Sequence, residues 1–366
     1  MRILYGVVGE GMGHAMRSRV VIDHLARAHQ VQVVVSGRAH DYLKTRETDR
    51  LGVREIWGLT IVYEDNEVRN FHTLFRNLKG AVTGGWPHNV KAYFELAENF
   101  EPEVVVSDFE SWSYLFAKSH RLPVISLDNI QAIARLSHRP RILAGHELDF
   151  QITRGVVRAK LPGCFHYLVT TFFYPPIIRP RTSLHPPVLR PEILCARPET
   201  GEHLLVYQTS DSDLRLPDIL RECGRECRIY GFRRGLPEEV REGSLRFRPF
   251  SEAGFIEDLR TARAVVANGG FTLLSESLYL KKPVLSSPVK GQFEQVMNAR
   301  YLEEEGYGLA AEDLSLERLA EFLERLPELE ARLLAYRQDD NRDLLAALDV
   351  LLLKAGEPGS IDETVM

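Results

Sequence analysis

The sequence contains few cysteines, and this excludes two ways of holding a fold together. The four are Cys164, Cys195, Cys223 and Cys227, of which only the last two are close together, as C-x-x-x-C. A structural zinc site takes about four convergent ligands, and a disulfide framework belongs to short secreted chains. Neither is expected here, and we expect all four thiols to be reduced.

Long apolar runs are missing as well. No stretch reaches the roughly 20 apolar residues of a membrane-spanning helix. The richest stretch, from Leu168 to Ile178, is interrupted by two threonines and two prolines. The N-terminal residues enter a strand-like segment that soon meets polar side chains, and they contain no apolar secretory core. We therefore expect a cytoplasmic protein that does not span a bilayer.

An excess of positive charge is also missing. The chain has 46 Lys and Arg against 51 Asp and Glu, a formal charge of -5, which argues against an electrostatically driven nucleic-acid binder. Residues 135–190, called the cationic segment below, differ from the average, with nine basic residues against Glu147 and Asp149. This segment suits an anionic lipid or a membrane surface, so peripheral membrane contact is one hypothesis. The alternative is a solvated connector.

What the sequence does contain is two α/β halves. With 366 residues, 44% apolar and 27% charged, the chain is long and apolar enough for two cores. Short apolar runs alternate with helical spacing in residues 1–175 and again in 201–355, which predicts two Rossmann-like domains with mostly parallel sheets. A proline cluster predicts an extended linker over 176–200. Residues 356–366 are expected to form a loose tail.

The first predicted strand ends in a glycine-rich turn, Gly9-Glu10-Gly11-Met12-Gly13-His14. Such a turn lets the backbone approach an anionic ligand at the start of the next helix. A dinucleotide-binding turn has glycine where this chain has His14, and no acid follows the second strand, so a nicotinamide enzyme is the weaker interpretation. A histidine in this place can act as a general base. The alternative is that it caps the loop.

A second polar group, Ser107-Asp108-Phe109-Glu110, follows the third predicted strand of the first half. Because the carboxyl ends of parallel strands meet at one edge of a sheet, His14 and Asp108 should open on one crevice. Asp108 would then orient the imidazole, or it would cap its own helix, and the sequence leaves both open. Weaker candidates at the same sheet edge, which would bind an acceptor substrate, are Glu110, Asp128 and Asn129.

A denser pattern occupies residues 255–299 of the second half. Gly269 and Gly270 lie between a predicted strand and helix, and a backbone-amide nest at such a place suits a diphosphate. Glu276, about two turns into that helix, would accept hydrogen bonds from a sugar diol. Side chains that would line the same cleft at helical spacing are Glu294, Gln295 and Asn298.

Residues 255–308 resemble the donor-binding half of GT-B glycosyltransferases, in particular the UDP-glycosyltransferases and the lipid-linked GlcNAc transferase of peptidoglycan synthesis. In those families three features hold UDP. They are a glycine pair at the start of a helix, a glutamate six residues after the second glycine, and a downstream D/E-Q-x-x-N-A segment. The N-terminal loop resembles the glycine turn of the lipid-linked transferase, which faces the acceptor. The chain also contains the segments Y-G-V-x-G-E-G-x-G-H and V-S-D-F-E. In these it is similar to a little-described bacterial and archaeal branch of the same group. The resemblance implies donor-side roles for Thr209, Ser210, Phe255, Gly269, Gly270, Glu276, Glu294, Gln295 and Asn298, and acceptor-side places for Gly11 and Gly13.

The chain departs from these families at two places. Residues 266–271 replace the tryptophan-led H-C-G-W-N-S motif of the plant-type enzymes, so the sugar cannot be inferred. The loop after the first strand of the second half is Gln208-Thr209-Ser210 where a Gly-Ser pair is usual, although its hydroxyls can still meet a diphosphate. Asp211-Ser212-Asp213 has the form of a metal-binding D-x-D triplet. Helix capping explains it more simply, and we predict no essential metal.

The sequence therefore predicts an inverting GT-B glycosyltransferase of the hexosyl or N-acetylhexosaminyl type. It would use a UDP-sugar as cosubstrate and need no other cofactor. His14 would deprotonate an acceptor hydroxyl of a small molecule, a glycan or a lipid-linked molecule, and UDP would leave toward the 269–277 helix start and Thr209 and Ser210. Two alternatives stay open: a UDP-sugar 2-epimerase of the same architecture, and a nucleotide-sugar or polyanion binder without catalysis.

Overall fold

The computed structural model describes residues 1–9, 11–57, 63–64, 67–68, 86–208, 215–233 and 235–357. Within these residues the chain forms two α/β units, each built on a seven-stranded sheet. A short antiparallel pair, β4 (Tyr63–Glu64) and β5 (Glu67–Val68), belongs to neither sheet. The two-domain Rossmann-like architecture predicted from the alternating pattern is therefore present.

The first sheet is parallel throughout, in the order β3-β2-β1-β6-β7-β8-β9. Its interior strand β1 is buried on both faces from Ile3 onward, as its unbroken apolar run predicts. The strand order reverses between β1 and β6, and ligand crevices open at such a point in doubly wound sheets. The strands are β1 (Arg2–Val7), β2 (Gln30–Val35), β3 (Leu51–Glu55), β6 (Val104–Asp108), β7 (Val124–Asp128), β8 (His166–Thr170) and β9 (Thr182–His185). The helices are α1 (Met12–Leu25), α2 (Arg38–Lys44), α3 (Trp86–Asn99), α4 (Ser111–Ser119), α5 (Ala132–Arg135), α6 (Pro140–Leu143) and α7 (Glu147–Lys160).

The second sheet has the order β12-β13-β11-β10-β14-β15-β16, with β12 antiparallel at one edge and the other pairs parallel. Its order reverses between β10 and β14, and the glycine pair lies just beyond the end of β14. The strands are β10 (Leu204–Tyr207), β11 (Cys227–Tyr230), β12 (Val240–Glu242), β13 (Leu245–Phe247), β14 (Ala264–Ala267), β15 (Val284–Ser286) and β16 (Gly308–Ala310). The helices are α8 (Pro191–Leu194), α9 (Leu216–Glu222), α10 (Glu252–Arg260), α11 (Phe271–Tyr279), α12 (Phe293–Glu304), α13 (Leu316–Leu333) and α14 (Arg342–Ala355).

The predicted linker over 176–200 is only partly a connector. Residues Thr182–His185 form β9, the edge strand of the first sheet, and Pro191–Leu194 form a helical turn. The prolines flank β9 and none lies within it, and an edge strand is where a sheet tolerates them. The first domain therefore extends about ten residues beyond the predicted boundary at 175.

The last helix, α14, belongs to the first domain, although the sequence assigned it to the second. Leu344, Leu348 and Leu352 recur every four residues and pack in the cluster that contains Ile3 and Leu25. The apolar face of a helix is stable only when it is shielded from water. The leucine face of α14 is shielded by the surface of the first domain beside α1. The boundary predicted at 355 is corrected accordingly, because the chain returns to its first domain after α13.

The two domains also share an apolar interface. The rings of Phe173 and Tyr301 stack with centroids 3.9 Å apart, and those of Phe150 and Phe293 lie 5.5 Å apart. One buried apolar cluster is continuous across both units. None of the helices in the described ranges combines the length and apolar composition that a bilayer-spanning segment requires.

Candidate functional site

The two residues predicted as a pair, His14 and Asp108, lie in contact. His14 is in the first turn of α1, directly after the glycine-rich loop, and Asp108 is the last residue of β6. Val7 of β1 pairs with Asp108 in the sheet, so both side chains emerge at one sheet edge. Nδ1 of His14 lies 2.9 Å from Oδ1 of Asp108, which is fully buried, whereas the imidazole is 16% exposed.

Asp108 is held by two further side chains of α1. Arg17, one turn beyond His14, donates through Nε to Oδ2 at 3.0 Å and through Nη2 to Oδ1 at 2.5 Å. The hydroxyl of Ser18 donates to Oδ2 at 2.8 Å. Burial alone would raise the pKa of Asp108, but the charges and hydrogen bonds of Arg17 and His14 outweigh it and hold the pKa well below its usual range. These contacts therefore favour the ionised form of Asp108.

The position of Arg17 affects which nitrogen of His14 carries the proton. Nη2 of Arg17 lies 2.6 Å from Nδ1 of His14, close to the oxygen that Nδ1 also faces. A proton on Nδ1, donated to Asp108, leaves the lone pair of Nε2 available to accept a proton. A guanidinium hydrogen directed at Nδ1 favours the opposite tautomer. Nε2 can accept a proton in the first arrangement alone, so the contacts of Arg17 and Asp108 with Nδ1 bear on which nitrogen is basic.

Two of the predicted acceptor-side carboxylates accept backbone hydrogen bonds, and Glu110 caps a helix. Both oxygens of Glu110 accept backbone bonds at the start of α4, from Trp112 at 2.7 Å and Ser113 at 2.6 Å. Asp128 is fully buried and accepts from the backbone of Gln131 at 2.8 Å. Burial and the nearby Asp108 charge raise the pKa of Asp128 to about 6. These contacts favour structural roles. The helix cap that the sequence left open for Asp108 is supplied by Glu110.

Asn129, which follows β7, connects the first domain to the second. Its Oδ1 accepts from Nη1 of Arg17, and its Nδ2 donates to Oε1 of Glu294 at 2.7 Å. Glu294 lies in the first turn of α12, where the predicted donor-side segment begins. Nδ2 of Asn298, one turn further on, donates to the carbonyl of Gly269 at 3.0 Å. Three of the predicted donor-side residues, Glu294, Asn298 and Gly269, are thus linked through Asn129 and Arg17 to the His14–Asp108 pair.

The glycines of the two loops have different functions. A Cβ at Gly13 would lie 2.7 Å from Oγ1 of Thr272, so glycine lets α1 approach α11 of the other domain. A Cβ at Gly269 would lie 2.4 Å from the carbonyl oxygen of Gln295, so this glycine is required for packing against α12. A Cβ at Gly270 would meet open space. The Cβ side of Gly270 is therefore open, as that of Gly269 is not. Gly11 is exposed just before α1.

Glu276 lies on α11, as predicted, but it already has a partner. Its two oxygens accept from Nε and Nη2 of Arg190 at 2.7 and 2.8 Å, and the carboxylate is almost completely buried. Nη1 of Arg190 donates to Glu252 at 2.7 Å. A carboxylate has about four lone-pair sites, so Arg190 does not use all of them. Contact between Glu276 and a ribose diol stays a prediction.

Other predicted donor-side residues take part in packing or lie outside the described residues. Phe255 is buried, with its ring edge-on to Tyr207 and Tyr230 at 5.6 and 5.1 Å. Oε1 of Gln295 accepts from the backbone of Val289 at 3.0 Å. Thr209 and Ser210, together with the D-x-D triplet, are not among the described residues. Within the described part of the chain no group of three or more His, Cys, Asp or Glu is placed to hold a metal ion. The absence of an essential metal remains a prediction.

Sequence reasoning assigned no role to Arg17 and Ser18, and it counted Arg190 only among the basic residues of the cationic segment, whereas Arg190 is buried against Glu276 and Glu252. A charged helix residue is usually solvated, so nothing in its identity indicates that Arg17 is 4% exposed. The one available signal was spacing. His14 and Arg17 are three residues apart, which places both on one face of a helix beginning at the predicted site. Asn129 was assigned to the acceptor side, whereas its contact with Glu294 reaches the donor side.

Comparison with known sequences identifies relatives over most of the chain. The profile of glycosyl transferase family 1 matches residues 1–327. An uncharacterized glycosyltransferase of Methanosarcina acetivorans is 25% identical over 336 residues, covering 84% of this chain and 85% of that protein. An uncharacterized glycosyltransferase of Methanosarcina mazei is 24% identical over 335 residues, with the same coverage of 84% and 85%.

Solved structures support the same fold. The glycotransferase of kitacinnamycin superimposes with a TM-score of 0.68 at 16% identity, covering 97% of this chain and 99% of that one. Phytolacca americana UGT2, complexed with UDP-2fluoro-glucose and pterostilbene, gives a TM-score of 0.68 at 12% identity, covering 98% and 100%. Identities this low show the fold alone. That fold is GT-B, as the resemblance in the sequence predicted.

Proposed function

This chain belongs to glycosyl transferase family 1, and from that premise we propose that it transfers a sugar from a UDP-linked donor to an acceptor hydroxyl with inversion. Glycosyl transfer itself follows from the family, whereas the nucleotide, the hexosyl or N-acetylhexosaminyl type of sugar and the stereochemistry belong to the proposal. The observation that supports it best is the His14–Asp108 pair beside a glycine turn that leaves Gly270 open. A cytoplasmic location and independence of metal are part of the same proposal.

In this mechanism His14 is the general base. With Nδ1 protonated and held by Asp108, Nε2 accepts the proton of the acceptor hydroxyl as its oxygen attacks the anomeric carbon. The new bond joins the acceptor oxygen to that carbon, and the bond from carbon to the phosphate oxygen breaks. Asp108 stabilises the imidazolium that forms, because its carboxylate is already ionised and fixed. The step is an in-line displacement, which inverts the anomeric centre.

The departing UDP would be held by the second domain. The start of α11 directs backbone N–H groups and the positive end of a helix dipole toward the open side of Gly270. Thr209 and Ser210 follow β10, the neighbour of β14, and are proposed as further hydroxyl donors to the diphosphate. Glu276 is proposed to accept from the ribose diol through lone pairs that Arg190 leaves free, and Glu294 to contact the donor sugar.

Replacing Gly270 with valine tests the donor site with little risk to the fold. The new Cβ meets no atom within 4 Å and the backbone φ is -67°, so the variant should fold as the wild type does. The side chain would instead fill the space through which the diphosphate approaches. We expect UDP affinity, measured by calorimetry, to fall at least about tenfold, which is 1.4 kcal/mol.

Gly155→Val is the matched control for this variant, because a Cβ at that exposed position of α7 also meets open space. It should bind UDP as the wild type does. Unchanged UDP affinity in Gly270→Val would remove this glycine turn from the donor site.

Incubation with a UDP-sugar in the absence of acceptor separates transfer from isomerisation. A glycosyltransferase leaves the donor sugar unchanged or hydrolyses it slowly, whereas a 2-epimerase produces the epimer without any acceptor. We expect no epimer by product analysis. Its appearance at enzymatic rates would replace the proposed reaction, although the nucleotide-binding part of the account would stand.

We also propose that the acceptor side contacts an anionic lipid surface. Leu148, Ile152 and Val156 of α7 are 72%, 58% and 58% exposed, and their spacing of four residues places them on one face. α7 lies within the cationic segment, and Phe150, on the same helix, contacts Phe293 at the start of α12. An exposed apolar stripe with basic neighbours suits an interface with anionic lipid, which would bring a lipid-linked acceptor to the cleft.

Co-sedimentation with anionic vesicles tests this contact. Each basic group near an anionic leaflet contributes about 1 kcal/mol, so the double variant Arg154→Gln/Arg158→Gln should bind such vesicles roughly thirtyfold more weakly at low salt. Arg325→Gln/Arg342→Gln changes the net charge equally on helices outside the cationic segment and should bind as the wild type does. Binding that is absent at low salt, or unchanged at high salt, would leave a soluble acceptor as the better choice.

A further inference from the structure

One chain of hydrogen bonds crosses between the domains and joins the His14–Asp108 pair to Glu294. It begins at Asp108, whose two oxygens accept from Nε and Nη2 of Arg17. Nη1 of the same guanidinium donates to Oδ1 of Asn129. Nδ2 of Asn129 then donates to Oε1 of Glu294 at 2.7 Å. The base and the donor-side carboxylate are thus connected through two side chains.

The amide of Asn129 has only one orientation that satisfies its neighbours. A guanidinium only donates and an ionised carboxylate only accepts, so Oδ1 must face Arg17 and Nδ2 must face Glu294. An apolar side chain would leave both neighbours unpaired, and an aspartate would repel Glu294. Asn129 is 3% exposed, so its bonds compete little with bulk water.

On the donor side the network of hydrogen bonds continues to the turn at Gly269. Asn298 lies on the same helix as Glu294, with its Nδ2 3.5 Å from Oε1 of that carboxylate. The same nitrogen donates to the carbonyl oxygen of Gly269 at 3.0 Å. A ligand that displaces Glu294 therefore acts on a network that includes both the turn and the base.

We propose that Asn129 is a positioning residue that couples occupancy of the donor site at Glu294 to the state of the base at His14. The inference rests on the proposed function in one respect, because it takes Glu294 to contact the donor sugar. When sugar hydroxyls donate to Glu294, the hydrogen bond from Nδ2 of Asn129 to that carboxylate changes. Arg17 then shifts, because it donates to Oδ1 of the same amide. Nη2 of Arg17 lies 2.6 Å from Nδ1 of His14, so a small shift of the guanidinium alters which tautomer the ring prefers.

The first test needs no substrate. In protein labelled with ¹⁵N in its histidine rings, the His14 signals are identified by their loss in His14→Ala. Asn129→Ala removes the Oδ1 atom that accepts the hydrogen bond from Nη1 of Arg17. The ring-nitrogen shifts of His14 should then change, because the ratio of its two tautomers changes. Asn99→Ala is the control, since that exposed amide donates to the carbonyl of Glu95. Unchanged His14 signals in a folded Asn129→Ala protein would overturn the proposal.

The second test measures donor binding by calorimetry. Asn129→Asp keeps an acceptor for Arg17 but presents a carboxylate to Glu294, so UDP-sugar affinity should fall roughly tenfold, within the usual range for coupled sites. UDP lacks the transferred sugar that would contact Glu294, so the variant should bind UDP as the wild type does. Equal losses for both ligands, or no loss, would contradict the coupling. If the wild type binds neither ligand, the proposed function fails, and the histidine signals still decide the role of Asn129.

Discussion

Replacing His14 with alanine should lower turnover by roughly 10²- to 10⁴-fold, the usual loss when a general base is removed. UDP affinity should remain nearly unchanged, because the imidazole lies on the first domain, whereas the proposed diphosphate site is at the start of α11. Turnover measured with the natural acceptor and UDP affinity measured by calorimetry together check the expectation. Wild-type turnover in this variant would show that another group is the base.

His24→Ala provides a matched control on the same helix. His24 also pairs with an aspartate, since its Nε2 lies 2.9 Å from Oδ1 of Asp349. That pair joins α1 to α14, the helix that packs beside α1 in the apolar cluster containing Ile3 and Leu25. Removing it should leave turnover unchanged. A general effect of histidine loss on α1 would lower turnover in both variants.

Replacing Asp108 with asparagine should cost both stability and activity. The variant leaves the buried guanidinium of Arg17 without its counter-ion, and breaking a buried ion pair in this way costs about 3–5 kcal/mol. The amide also cannot stabilise an imidazolium, so turnover should fall in the same direction as in His14→Ala, by a smaller factor. Urea denaturation and steady-state kinetics measure the two effects separately.

Asp258→Asn separates the two effects of the Asp108 substitution. Asp258 is 1% exposed and accepts from Arg228 at 2.6 Å and from Tyr230 at 2.6 Å, so its loss also leaves a buried network incomplete. Its side-chain partners among the described residues, Arg228, Tyr230 and Arg248, are not residues proposed to bind substrate. We expect a lower urea midpoint with normal turnover below that midpoint. If Asp108→Asn behaved in the same way, Asp108 would be a structural residue.

The strand pattern accounts for how much of this site was predictable. Buried parallel strands are continuous apolar runs in the sequence, and the strands predicted before the glycine-rich turn and before Ser107-Asp108 are present as β1 and β6. Since the carboxyl ends of such strands share one edge, the approach of His14 to Asp108 followed from topology alone. The glycine pair after β14 was located by the same reasoning.

The remaining features depend on contacts that no local pattern reveals. Asn129 and Glu294 are 165 residues apart in sequence, and their contact depends on how two domains meet. The leucine spacing of α14 predicted a helix, but an apolar face does not indicate which sheet will cover it. Arg17 is a buried charge, and its cost is offset only because Asp108 and Asn129 happen to converge on it.

The most direct test of the account is the melting temperature of the wild-type protein in increasing concentrations of UDP. A ligand that binds only the folded state stabilises it by RT ln(1 + [L]/Kd), which is about 2.7 kcal/mol at a hundredfold excess over Kd. We predict a melting temperature that rises with the logarithm of UDP concentration in the wild type and much less in Gly270→Val. A melting temperature that neither UDP nor any UDP-sugar changes would contradict a UDP-linked donor.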